Sequence, residues 1–219
     1  MLAAGPMTTI FLDFDGTITE RDLLDTIAQT FGDPAVYAEV DAGLDERRLT
    51  LHEVLQREFE PVRAPLEDVV DWVLENASVR PGFAELVRLA RERGWRLVVL
   101  SSGFRELIQP VLEREGVGDL ELLSNSVEPK PSGWRVRFRD DEPCPVCGEP
   151  CKRSAVLALA DGGRAVYVGD GISDRCGAEA SDLVFARRGL AGYLAERGVP
   201  FEPFDDFFEV IRGMEEAHA

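Results

Sequence analysis

The feature that most constrains this chain is the run Thr9-Ile10-Phe11-Leu12 followed directly by Asp13-Phe14-Asp15-Gly16-Thr17-Ile18-Thr19. The first four residues are short, apolar and β-prone, as a buried strand is. Ligands of open α/β sheets bind at the carboxyl ends of strands, which is where Asp13 and Asp15 then fall. Two carboxylates so close repel each other unless a cation or a shared proton relieves them. A solvated turn is the plain alternative, and three other stretches weigh against it.

One is the hydrophobic run Leu97-Val98-Val99-Leu100, which leads into Ser101-Ser102-Gly103. Another is Lys152, at the opening of an apolar, helix-like segment. The last is Val166-Tyr167-Val168-Gly169-Asp170-Gly171-Ile172-Ser173-Asp174, a strand-like run ending in acids. Together with Asp13, Asp15 and Thr17, and in this order, these stretches resemble the four motifs of the haloacid dehalogenase superfamily. The resemblance spans most of the chain. It implies a Rossmann-like, doubly wound α/β core and a phosphoric monoester hydrolase.

The net charge is −17. Such a surface repels nucleic acid and anionic membranes, so neither is an expected partner. It also repels an anionic substrate at long range, so a phosphate site has to be built locally. No apolar stretch reaches membrane-spanning length. The segment Met1–Met7 has no basic residue and no long apolar run, unlike a secretory signal, and Met7 is an alternative start. A cytoplasmic protein is expected; its oligomeric state is not legible. Basic residues are almost all Arg, with lysine only at Lys130 and Lys152. Lys130 falls in a turn-like Glu128-Pro129-Lys130-Pro131-Ser132-Gly133 stretch between two strand-like runs. Lys152 is the lysine placed to suit a site.

From Arg21 to Val79 apolar residues recur at helical spacing: Leu23, Leu24, Ile27, Ala28, Phe31; Leu51, Val54, Leu55, Phe59; Leu66, Val69, Val70, Val73, Leu74. From Pro81 onward helix-like and strand-like runs alternate, as in a parallel sheet covered by helices. Residues 7–19 and 80–219 are therefore expected to form the core, with 20–79 inserted as a helical cap. The position of the insert is similar to the type 1 caps of the superfamily.

The resemblance implies Asp13 as nucleophile and Asp15 as the acid that protonates the leaving alkoxide. It implies Mg²⁺ on Asp13, Asp15 and Asp170, with Asp174 a ligand or an orienting residue. Mg²⁺ suits a donor set made of oxygens. Ser101 would bind a phosphate oxygen, while Ser102 and Gly103 would offer N–H groups at the start of the next helix. Lys152 would offset charge packed between nucleophile and phosphate. Halide leaves unprotonated but alkoxide does not, so Asp15 favours a phosphatase over a dehalogenase. A phosphomutase and a non-catalytic, zinc-stabilised binding protein are the other readings.

Cys144-Pro145-Val146-Cys147-Gly148-Glu149-Pro150-Cys151 is a second constellation. It is open to three readings: a structural Zn²⁺ site on Cys144, Cys147 and Cys151, a disulfide or redox pair, or reduced thiols in a loop. Structural zinc normally takes four ligands; Cys176 is too distant in sequence to assign, and His52 and His218 are not obviously near. Cys-rich loops leading into Cys-Lys are similar to those of 2-hydroxy-3-keto-5-methylthiopentenyl-1-phosphate phosphatases and of phosphoethanolamine/phosphocholine phosphatases. Phosphoserine phosphatases carry Glu nine residues past the nucleophile, where this chain has Asp22. Asp22 is thus a candidate for contact with the substrate's non-phosphate end. Arg21, Arg47, Arg48 and Arg57 could reach a substrate or lie on solvated helix faces.

Overall fold

The computed structural model describes residues 7–217. The expectations for the segment before Met7 and for His218 lie outside the described residues. Seven strands form one sheet: β1 (Thr8–Leu12), β2 (Arg96–Phe104), β3 (Glu121–Lys130), β4 (Gly133–Arg137), β5 (Arg164–Gly169), β6 (Leu183–Ala186) and β7 (Glu202–Pro203). Their order is β4-β3-β2-β1-β5-β6-β7, and only the β3–β4 pairing is antiparallel. β1 is central. The chain runs outward from it to β2 on one side and later returns to β5 on the other, which opens a crevice at the carboxyl ends of these strands.

Helices cover both faces because side chains of successive strand residues point opposite ways. Ile10, Leu12, Val166 and Val168 face one cluster with Leu86, Val111 and Val210, which lie on α5 (Phe83–Arg93), α6 (Arg105–Arg114) and α10 (Phe207–Glu216). Phe11, Val98, Tyr167 and Ala186 face the other, with Val156, Ala178 and Leu190 from α7 (Arg153–Ala160), α8 (Arg175–Ala178) and α9 (Arg188–Arg197). This is the doubly wound α/β architecture read from the motif order. No helix among the described residues is long and apolar enough to cross a membrane.

Between β1 and α5 lie four helices: α1 (Leu23–Phe31), α2 (Pro34–Asp45), α3 (Leu51–Phe59) and α4 (Leu66–Asn76). α2 is absent from the helical stripes read in the sequence, although Asp33 followed by Pro34 is a start signal: Asp33 caps it and Pro34 takes its first turn. The insert has no core of its own. Its Leu23, Ile27, Phe59, Val69 and Val73 belong to the same buried cluster as Ile10 and Val99. Phe59 packs edge-on against Phe104, with ring centroids 4.6 Å apart, and the indole of Trp134 donates to the Ala64 carbonyl. The chain leaves and rejoins the core at one place, where Thr19 bridges Val79. There the Arg80 guanidinium donates to the carbonyls of Gly16, Thr17, Thr19 and Asp205.

Candidate active site

Asp13 leaves the end of β1 with its backbone N–H still bonded to the Val168 carbonyl of β5. A tight π-type turn over Phe14–Ile18 follows, with Gly16 at φ 76°. Glycine is required there twice over: the conformation is left-handed, and a Cβ would stand 2.4 Å from Asp170 Oδ2. That absence of side chain lets the loop after β1 close on the loop after β5. Thr17 Oγ1 then donates to Asp170 Oδ1 at 3.2 Å.

Lys152, 3% exposed, precedes α7 and spans the crevice. Its Nζ donates to Asp13 Oδ1 and to Asp174 Oδ1, each at 2.6 Å. Burial alone would lower the Lys152 ammonium's pKa, but Asp13 and Asp174 outweigh it and raise it. A charged lysine here satisfies two buried carboxylates that would otherwise be costly. Burial, then Asp174, pushes the Asp13 carboxyl well above the usual range, with Lys152 opposing. Burial, then Asp22 and Asp13, raises Asp15 as well. Asp170 is pushed up to about 6, by burial and then by Asp174.

Asp174 is fully buried and engaged on both oxygens. Oδ1 accepts from Lys152 and from the Tyr167 hydroxyl at 2.8 Å; Oδ2 accepts from the N–H groups of Asp170 and Gly171. Asp174 thus orients Lys152 and the loop after β5. Tyr167 was not anticipated; its position two residues before Gly169, inward on β5, was the available sign.

Carboxylate oxygens of Asp13, Asp170 and Asp174 lie within 4.8 Å of one another. The donors are all oxygen and the acids are crowded and buried, so the residues fit a divalent cation such as Mg²⁺, whose charge would relieve that crowding.

Ser101 is buried and its Oγ accepts from the Gly103 N–H at 2.8 Å. Ser102 and Gly103 do not open the next helix as expected. β2 runs on to Phe104 through an irregularity in its pairing with β3, and α6 begins at Arg105. There Asn125 on β3 reaches across, donating to the Ser102 carbonyl at 2.7 Å and accepting from the Arg139 N–H. Asn125 was likewise not anticipated.

Asp22 caps α1, accepting from the Asp25 N–H at 3.1 Å. Its carboxyl is pushed up to about 6 by burial and then by Asp25. Asp15 accepts from the Leu23 N–H beside it, so both acids flank the start of α1. Arg48 pairs with Glu46 and Arg57 with Glu39, while Arg47 lines a cleft. Arg188 lies 3.5 Å from Asp170 and donates to the Glu20 carbonyl. Its place at the end of β6 was the sign that sequence reading passed over.

The cleft, about 450 Å³, has Ser101, Ser102 and Lys152 on its wall and Arg47, Arg139 and Arg175 around them. Cys147, Cys151 and Cys176 line it, and Cys144 joins them: the four sulfurs lie within 4.8 Å of one another.

A buried strand-end aspartate held by a lysine, with an acid two residues on, defines a class of hydrolase. The sequence profile of the haloacid dehalogenase-like hydrolases matches residues 10–179, and the chain belongs to that family. Within it the chain is a phosphatase, a phosphoric monoester hydrolase. It is 34% identical over 207 residues to 2-hydroxy-3-keto-5-methylthiopentenyl-1-phosphate phosphatase of Geobacillus thermodenitrificans, covering 92% of this chain and 93% of the relative. It is 30% identical over 213 residues to the Brevibacillus brevis protein of the same name, covering 94% and 95%. Among solved structures, a phospho-aspartyl intermediate analogue of phosphoserine phosphatase superposes with a TM-score of 0.73 over 95% of this chain and 99% of the other, at 20% identity. That likeness bears on the fold.

Proposed function

We propose that this protein hydrolyses a small phosphorylated metabolite through a covalent phosphate on Asp13, and that its substrate is the phosphate ester named for its methionine-salvage relatives. The observation that carries the chemistry is Lys152 held between Asp13 and Asp174. It fixes one oxygen of the Asp13 carboxylate, neutralises charge that would repel an incoming phosphate, and is itself fixed by Asp174.

In the first step Asp13 attacks phosphorus and the ester oxygen departs with a proton from Asp15. Burial, then Asp22 and Asp13, raises the pKa of the Asp15 carboxyl, the direction that suits a proton donor. In the second step Asp15, now ionised, takes a proton from water as it attacks the aspartyl phosphate. Inorganic phosphate leaves and both aspartates return to their starting states. Mg²⁺ would be held by the Asp13 and Asp170 carboxylates and the Asp15 carbonyl, supplying positive charge to the phosphate oxygens. Ser101 is placed to bind one of those oxygens. Arg47, Arg139 and Arg175 give the cleft local positive charge that the acidic surface lacks.

The helices of residues 20–79 act as the cap that chooses the substrate. Beside Asp15 is a small apolar hollow walled by Leu23, Leu24, Ile27, Val73, Phe104 and Leu107. At about 10 Å³ it has no room for a substrate group, so the substrate reading rests on the names of the relatives. The test is phosphate release from a panel holding the methylthiopentenyl phosphate, phosphoserine, phosphocholine and p-nitrophenyl phosphate, with Mg²⁺ and with EDTA. Metal-dependent turnover with the highest kcat/KM on the methylthiopentenyl ester is expected. Preference for phosphoserine or phosphocholine would overturn the substrate, and metal-independent turnover would overturn the cation.

A further inference from the structure

We propose that Cys144, Cys147, Cys151 and Cys176 form a tetrathiolate site for one structural Zn²⁺, which joins the segment leading into Lys152 to the helix that follows Asp174. The geometry is close to what zinc requires. Tetrahedral Zn–S bonds of about 2.3 Å place neighbouring sulfurs roughly 3.8 Å apart. Cys144 Sγ and Cys176 Sγ are 3.7 Å apart, and all four sulfurs fall within 4.8 Å of one another. A disulfide would need about 2.05 Å, and all four cysteines are free.

The first two ligands sit on a metal-knuckle turn. The Val146 N–H donates to Cys144 Sγ at 3.4 Å, and the Gly148 N–H bonds the Cys144 carbonyl at 2.8 Å. Gly148, just after the second cysteine, has φ 81°. Such N–H groups aimed at sulfur favour thiolate over thiol. Arg153 donates to the Cys176 carbonyl at 3.4 Å and Arg175 precedes Cys176, so positive charge flanks a site that would carry excess negative charge.

A second observation points the same way. Residues 139–151 contain neither helix nor strand, and Cys144 is the only buried residue among them. Val146, the one large aliphatic side chain in the stretch, is 58% exposed. Apolar burial therefore cannot hold this loop, and a metal with four protein ligands can. On binding, the thiols give up their protons to solvent and no electrons are transferred. Cys151 directly precedes Lys152 and Cys176 lies two residues after Asp174, so the ion would link the two sides of the Lys152–Asp174 bond from behind.

The test is metal analysis of the full chain purified without chelator, followed by replacement of the bound metal with Co²⁺ under reducing conditions. Expected are about one zinc per chain surviving gel filtration, and a cobalt spectrum with tetrahedral ligand-field bands and strong sulfur-to-cobalt charge transfer. Cys176→Ser should weaken that charge transfer and speed zinc loss to a chromogenic chelator at least tenfold. Should that variant fail to fold, the cobalt spectrum of the unaltered chain decides alone. Zinc well below one per chain with four thiols titratable, an octahedral cobalt spectrum, or a disulfide among these cysteines in protein purified under reducing conditions would each overturn the proposal.

Discussion

Lys152 Nζ donates to Asp13 Oδ1 at 2.6 Å across 139 residues of chain, and both groups are almost wholly buried. The lysine thus has a structural and a chemical task at once. Lys152→Met should remove both, leaving Asp13 and Asp174 buried without their cation. A loss of about 3–5 kcal/mol in folding stability is expected, together with a large fall in kcat. Urea unfolding followed by activity at a temperature where the variant is folded separates the two. Adding Asp174→Asn to Lys152→Met should restore part of the stability and none of the activity.

Asp13→Asn is nearly isosteric and keeps an acceptor for Lys152. The expected outcome is an intact unfolding transition with turnover lower by several orders of magnitude. Steady-state activity within tenfold of the unaltered chain, in protein free of host phosphatases, would remove Asp13 as nucleophile.

Asp15→Asn should separate substrates by leaving group. Loss of a general acid costs about 10²–10⁴-fold when the leaving oxygen needs a proton. Alkyl phosphates should show that loss, and p-nitrophenyl phosphate, whose phenolate leaves readily, a much smaller one. Equal losses on both would contradict the acid role.

Asp22 needs two variants because it caps α1 while lying near Asp15. Asp22→Ala should cost roughly 1 kcal/mol through the lost cap. Asp22→Ser retains a capping oxygen and removes the charge, so its thermal midpoint should stay close to that of the unaltered chain. If Asp22 contacts the substrate, Asp22→Ser still changes relative kcat/KM across the ester panel. An unchanged ranking with Asp22→Ser would leave Asp22 as a cap alone.

Glu58 on α3 gives a pH signature. Burial, then Asp25 and Asp22, push its carboxyl from 4.5 up to about 8. Between those values the folded chain holds the proton and the unfolded chain does not. Stability therefore falls as pH rises from about 4.5 to about 8 and is level beyond. Glu58→Gln lacks this titration. It should gain on the order of 2 kcal/mol over the unaltered chain above pH 8, less than the full shift implies because water partly screens the group. Little difference is expected at pH 4.5. Chemical unfolding of both at the two pH values reads the difference directly.

What sequence could supply here was whatever is written locally. Asp13, Asp15 and Asp170 stand at the ends of apolar runs, and a strand end announces both itself and the crevice it faces. A helix stop is local too: Gly94 follows Arg93 in the chain and closes α5 in the left-handed conformation. Contacts between distant segments were not legible. Nothing near Asp174 in sequence shows that Tyr167 and Lys152 both reach its Oδ1, or that Cys176 meets the loop of Cys144. The end of β2 is another such case: Leu100 closes the apolar run, whereas the strand continues to Phe104, beside an Asn125 side chain from β3 that donates to the Ser102 carbonyl.

Arg80 ties the backbone carbonyls of Gly16, Thr17 and Thr19 to that of Asp205, at the point where the four-helix insert joins the sheet. Mechanically this is a clasp. One guanidinium thus clasps the loop that follows Asp13 to the Asp205 segment, beside the two points where the insert's chain leaves and rejoins the core.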